Sequence, residues 1–236
     1  IVLEGENPRL IDEWQEVPSI WDAVRFKVDE TQEKGLFILT GSSTPRRKGI
    51  LHSGAGRIAK MRLRTMSLFE SGASSGLVSL QDICSGKMKA MLTGDVNLKY
   101  IIELIVRGGW PGNLNLTTKQ AMTTPDAYIR AIIDDDMERL DGIKRDTTKM
   151  MLLLRSLARN ESTTATNKIL KNDIKAIDDE DIDVDTVATY LDMFKRLFLI
   201  ENQPPYSSKI RSRVRIKQAE KKALDGPITC CSTTQG

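Results

Sequence analysis

Pro8-Arg9-Leu10-Ile11-Asp12-Glu13, followed by Trp14-Gln15, is an apolar rise that ends in two adjacent carboxylates. Side chains alternate along a strand, so Asp12 and Glu13 are expected to leave it in different directions and to take different tasks. A sheet that hydrolyses a nucleotide ends a strand in this way, with an Asp to organise Mg²⁺ and a Glu to polarise the attacking water. Acidic pairs also occupy solvated faces and helix starts, so the residues that follow decide between the two.

Pro18-Ser19 introduces a helix, with Ser19 as the expected N-cap, Asp22 as the capping-box acid, and Ile20, Trp21, Val24 and Val28 as the apolar stripe. Gly35 is the expected stop. Leu36-Phe37-Ile38-Leu39 reads as a short, fully buried strand that ends on Thr40-Gly41-Ser42-Ser43. Two such strands joined by one helix make a parallel βαβ unit, whose ligands bind beyond the carboxyl ends of the strands. Asp12, Glu13, Thr40 and Ser42 all fall at those ends. Thr-Gly-Ser-Ser is also ordinary turn chemistry, but its hydroxyls suit a sensor that orients water or a γ-phosphate.

Leu10-Ile11-Asp12-Glu13-Trp14-Gln15, Phe37-Ile38-Leu39-Thr40-Gly41-Ser42-Ser43 and Gly56-Arg57-Ile58 resemble, in order and spacing, three motifs of one family. They are the second acidic motif, the sensor strand and the terminal Gly-Arg of prokaryotic AAA-superfamily ATP-binding proteins with a C-terminal region of uncharacterised function. The resemblance continues through Ser67-Leu68-Phe69-Glu70, Arg107-Gly108-Gly109-Trp110-Pro111, Tyr190-Leu191-Asp192-Met193-Phe194 and Pro204-Pro205-Tyr206-Ser207, to about residue 217. It implies ATP and Mg²⁺ as ligands, with Asp12 organising the metal and Glu13 the water. It also implies Thr40 or Ser42 as sensor, and Arg57 beside the nucleotide, where a guanidinium neutralises charge developing on the γ-phosphate. Without that implication Arg57 reads as an ordinary surface residue.

No Gly-x-x-x-x-Gly-Lys-Ser/Thr occurs in the chain. In the resembled family this phosphate loop lies upstream of the acidic pair, so the expectation is a chain that begins after it. The strand leading into the loop would then be missing from the sheet centre, leaving Leu36 to Leu39 with an apolar edge that invites a second copy or a partner chain. Gly54-Ala55-Gly56-Arg57-Ile58-Ala59 satisfies the dinucleotide fingerprint, but no buried strand precedes it and Ile58, Met61 and Leu63 read as extended.

The 236 residues, 40% of them hydrophobic, suffice for one large domain or a few small ones. No apolar run of about 18 residues is present, so no membrane span is expected, and Ile1 to Gly5 lacks a signal peptide's basic region. Cys84, Cys230 and Cys231 have no metal-ligand spacing. The expected compartment is cytoplasmic. His52, the only histidine, sits in a glycine-rich basic loop, which excludes a Ser/His/Asp triad.

From about residue 97 the periodicity is helical. Leu98, Ile101, Ile102 and Ile105 form one stripe ending at Gly108-Gly109, and Tyr128, Ile129, Ile132 and Ile133 form another after Thr124-Pro125. Both fit an AAA lid. Met150 to Leu154 with Leu157, then Ile169, Leu170 and Ile174, then Val187, Leu191, Phe194, Leu197 and Phe198 mark three more helices. With Leu199-Ile200 and the Pro204-Pro205 turn, these resemble a winged helix-turn-helix. Its candidate recognition helix, about 185–197, offers Thr186, Thr189, Lys195 and Arg196 to DNA, but also Asp185 and Asp192. Lys209, Arg211, Arg213, Arg215 and Lys217 alternate, as a phosphate-tracking strand or a charge-protected edge strand would. The acidic run from Asp178 to Asp185 reads as a solvated loop.

The expected fold class is therefore α/β, a partial P-loop (AAA-type) parallel sheet followed by a helical lid and a winged helix-turn-helix. The expected divisions are 1–72 for the C-terminal half of the ATPase core, 73–143 for the lid, 144–206 for the winged helix, and 207–236 for the start of a truncated C-terminal region. Lys221 to Gly236 carries no acidic catalytic set. The alternative is a winged-helix nucleic-acid-binding regulator without enzymatic activity.

Overall fold

The computed structural model describes residues 3–43, 53–87, 94, 96–139, 142–205 and 219–224. His52, Arg211, Arg213, Arg215 with their basic neighbours Lys209 and Lys217, and Cys230 and Cys231 lie outside the described residues.

Strand β1 (Arg9–Ile11) pairs in parallel with β2 (Phe37–Leu39), in the register Arg9 to Phe37, Leu10 to Ile38 and Ile11 to Leu39. Helix α1 (Ser19–Thr31) crosses between them and buries Trp21 and Val24, beside the buried Ile11 and Leu36. The second strand is not fully buried as its apolar run predicts. Ile38 is 53% exposed and its register partner Leu10 62% exposed, because α1 covers one face of the sheet and successive residues point to opposite faces.

Both ends of α1 also differ from expectation. Ser19 is the first helical residue and Pro18 the cap, with no side-chain capping bond. The freed donors Ile20 N–H and Trp21 N–H go instead to the carbonyls of Val17 (2.9 Å) and Pro18 (3.2 Å). A serine caps only from extended backbone, whereas Pro18, at φ −57° and ψ −23°, has already entered the helix. At the other end Gln32, at φ 57°, closes the helix by donating its N–H to the Val28 carbonyl, ahead of Gly35.

Residues 53–79 have no regular element. Helix α2 (Leu80–Cys84) is capped by Ser79, and α3 (Leu98–Arg107) by Asn97, whose Oδ1 accepts from Tyr100 N–H at 2.8 Å. Gly108 ends α3 at φ 63°, a conformation that favours glycine. The stripe Leu98, Ile101, Ile102 and Ile105 lies on this helix as its spacing predicts, yet all four are exposed. Helix α4 (Thr118–Ala121) has a capping box between Thr117 and Gln120. Helix α5 (Thr123–Ala131) starts ahead of Pro125, which sits in the first turn where its missing N–H is not needed. It continues through a π turn (Ile132–Asp136) into α6 (Met137–Arg139). Asn113 is buried where these helices meet: its Nδ2 donates to the Arg107 carbonyl at 2.9 Å and its Oδ1 accepts from the Thr124 hydroxyl at 2.7 Å.

Three amphipathic helices hold the main core: α7 (Thr147–Arg159), α8 (Asn167–Asp178) and α9 (Val184–Arg196), N-capped by Asp146, Thr166 and Asp183. Met150, Leu153, Leu154, Leu157, Leu170, Ile174, Val187, Met193 and Phe194 pack together, and the same cluster takes in Ile129, Ile132, Ile133 and Met137 from the preceding helices. Ile169, predicted to join the stripe of α8, is exposed. Phe198, at φ 58°, turns the chain out of α9. Beyond it Ile200 stands opposite Leu224 and Gln203 opposite Lys221 in antiparallel bridges. Leu199, Ile200 and Leu224 are buried against the helices.

Candidate functional site

The carboxyl ends of β1 and β2 lie side by side because the ladder extends past both strands, with Thr40 N–H donating to the Ile11 carbonyl (3.0 Å) and Trp14 N–H to the Thr40 carbonyl (3.1 Å). This register sets each hydroxyl opposite one carboxylate. Thr40 Oγ1 donates to Asp12 Oδ1 at 2.5 Å, and Ser42 Oγ donates to Glu13 Oε2 at 3.3 Å. The Glu13 N–H also donates to Asp12 Oδ1, at 3.1 Å.

Asp12 and Glu13 diverge, but not through strand alternation, because β1 ends at Ile11. Glu13 occupies the left-handed region, at φ 49° and ψ 42°, before a 3-10 turn (Trp14–Glu16). A non-glycine residue there carries roughly 1–2 kcal/mol of backbone strain. The turn folds Gln15 back over the site, so that its Nε2 donates to Glu13 Oε2 and, at 3.3 Å, to Ser42 Oγ. Gln15 is the residue whose role the sequence motifs do not reveal, since its meeting with Glu13 depends on the turn that follows β1. The left-handed step at Glu13 is what joins them. Trp14 packs behind, its ring 5.1 Å from that of Trp21.

Arg57 is placed elsewhere. Its Nε donates to Asp29 Oδ1 at 2.5 Å, in an ion pair on the late part of α1, and Asp29 is shared with Arg25. Gly54 to Arg57 forms a turn that no helix follows. The structure therefore brings together Asp12, Glu13, Thr40 and Ser42 and leaves Arg57 bound to α1. Among the described residues no group of three or more His, Cys, Asp or Glu side chains gathers as a metal-ligand set, and no helix is long and apolar enough to cross a membrane.

Of the residues read as facing nucleic acid, Lys195 is exposed and Arg196 half-buried at the end of α9, with Asp192 exposed one turn back, Thr189 exposed in mid-helix and Asp185 exposed in its first turn. Burial, and then the Lys195 ammonium, hold the Lys222 ammonium below its ordinary range.

Residues 2–71 match the family described as AAA domain, the region that holds the acidic pair, the hydroxyls and Arg57. No curated protein and no solved structure matches the chain. Residues 98–224 match the family described as a domain of unknown function, DUF8612. That match covers more than half of the chain, so the protein belongs to the DUF8612 family and carries an AAA-like region ahead of the domain that defines it.

Proposed function

We propose that residues 2–71 supply the metal- and water-handling side of an ATP-hydrolysing site. One observation carries this reading: two carboxylates and two hydroxyls pair off, Asp12 with Thr40 and Glu13 with Ser42, at the carboxyl ends of adjacent parallel strands. Asp12 offers the hard carboxylate oxygen that would hold Mg²⁺. Mg²⁺, where bound, would supply charge neutralisation at the phosphates of the nucleotide. Asp12 holds the metal shell, with Thr40 fixing the carboxylate. Glu13 orients water for attack on the γ-phosphate, and Ser42 orients Glu13. Arg57, held by Asp29 on the late part of α1, takes no part in this arrangement.

The test uses the protein as its gene encodes it. Glu13→Gln is expected to bind Mg·ATP with little change while kcat falls by about 100-fold or more, because a general base acts mainly in the transition state. Asp12→Ala is expected to weaken Mg²⁺-dependent binding as well. Equal loss of affinity in both variants would show the division of roles between Asp12 and Glu13 to be wrong, and unchanged turnover in both rejects the site.

A second reading has its own support. The antiparallel bridge between Gln203 and Lys221 follows three helices, and the sequence between its two residues includes Lys209, Arg211, Arg213, Arg215 and Lys217. Phosphate contacts by Arg211, Arg213 and Arg215 predict that neutralising all three reduces the salt slope of DNA binding by about 3. An unchanged slope rejects DNA contact by this segment.

A further inference from the structure

The geometry points to Gln15 as a positioning residue that clamps one oxygen of Glu13 and leaves the other for water, an inference that rests on the hydrolytic reading above. Glu13 Oε2 accepts two donors, Gln15 Nε2 and Ser42 Oγ, and Gln15 Nε2 reaches Ser42 Oγ as well, closing a triangle. The carboxylate is therefore held at a single oxygen, which fixes its plane. Gln15 and Ser42 approach Glu13 from two different segments, the turn after β1 and the loop after β2, so the clamp also locks the two strand ends together.

The opposite end of the Gln15 amide shows that this side chain is not placed for its own stability. Its Oε1 is buried and, among the described residues, has no hydrogen-bond partner, which is unfavourable for an acceptor removed from water. Rotating the amide by half a turn would set that oxygen against the Glu13 carboxylate, two acceptors facing each other, so the donor stays on Glu13. The carbonyl end lies where a side chain at residue 41 would begin: a Cβ on Gly41 would collide with Gln15 Oε1 and stand 3.3 Å from Trp14 Cδ1. Gly41 thus makes room for the clamp. Asparagine at position 15 is one methylene short, and glutamate would bring a second negative charge to Glu13.

The experiment compares Gln15→Met, which keeps the volume and removes the donor, with Gly41→Ala, which displaces the Gln15 amide by another route. In the protein as encoded, both are expected to lower kcat by about 10- to 100-fold with KM within twofold, and to leave the affinity for a fluorescent ATP analogue unchanged. In a Glu13→Gln background Gln15→Met is expected to have no further effect, since Gln15 acts through Glu13. Independently of turnover, the ¹⁵N side-chain amide resonance of Gln15 should shift on Glu13→Ala. If Glu13→Gln abolishes turnover while Gln15→Met and Gly41→Ala keep kcat within twofold, the clamp is overturned and the hydrolytic reading stands. An amide resonance that stays put on Glu13→Ala overturns the clamp as well. Turnover untouched by Glu13→Gln overturns both.

Discussion

The Thr40 hydroxyl has one proton to give, and it gives it to Asp12. Thr40→Val keeps the shape of the side chain and leaves Asp12 Oδ1 with only the Glu13 N–H. Partners that orient a metal-binding carboxylate contribute about 10- to 100-fold in metal affinity. Thr40→Val is therefore expected to raise the Mg²⁺ concentration for half-maximal turnover about tenfold, read from a Mg²⁺ titration at saturating ATP; an unchanged midpoint removes Thr40 from the site. The types and positions of Asp12, Glu13, Thr40 and Ser42 were legible in the sequence because strand ends in a βαβ unit fall together. The Gln15 contact was not, because it depends on a left-handed residue that no propensity favours at a glutamate. Nor was the Arg57 pairing, since Asp29 stands 28 positions away and no local pattern joins them.

Helices α7, α8 and α9 could be read from the spacing of Leu153, Leu157, Leu170, Ile174, Val187 and Phe194, which all proved buried. The two short strands gave a poorer account of their burial, because apolarity marks a surface as coverable and does not say what covers it. Among the helices each cap and each inward side chain has a measurable part. Phe194 is fully buried at the centre of the cluster, so Phe194→Ala is expected to destabilise the helical unit by about 3–5 kcal/mol in urea denaturation, with an unchanged midpoint arguing against this packing. The cap of α9 adds a pH dependence. The Thr186 hydroxyl first, and then the Thr186 N–H, hold the Asp183 carboxyl below its ordinary value of 3.8. A carboxyl depressed in the folded state stabilises the fold above its unfolded pKa and loses that contribution as pH falls through its folded pKa. The difference in melting temperature between the unsubstituted protein and Asp183→Asn should accordingly be largest near neutral pH and shrink below pH 3.8. A gap that stays constant into acid would show that the charge on Asp183 has no part in capping.

Across the whole chain, burial is unevenly shared, and this sets where the molecule opens first. Residues 3–43 bury Ile11, Trp21, Val24 and Leu36, whereas one continuous cluster runs from Ile129 to Leu224. Ion pairs that reach from the irregular segment to the helical unit include Arg62 and Arg64 with Glu201, at 3.6 and 2.7 Å. Arg62 also lies over the Phe198 ring, at 5.0 Å. Solvent-accessible pairs of this kind contribute about 0–1 kcal/mol, too little to lend the sheet the stability of the helices. Local opening free energies follow buried apolar contact, so hydrogen exchange should divide along this line. Amides within α7, α8 and α9 are expected to exchange at least about 100-fold slower than those of β1 and β2, the ratio produced by roughly 3 kcal/mol of additional opening free energy. Removing the ion pairs through Glu201→Gln should leave that ratio within about threefold, since they carry little of the difference. Equal protection in the strands and the helices would mean that the sheet draws its stability from contacts other than those of the described residues.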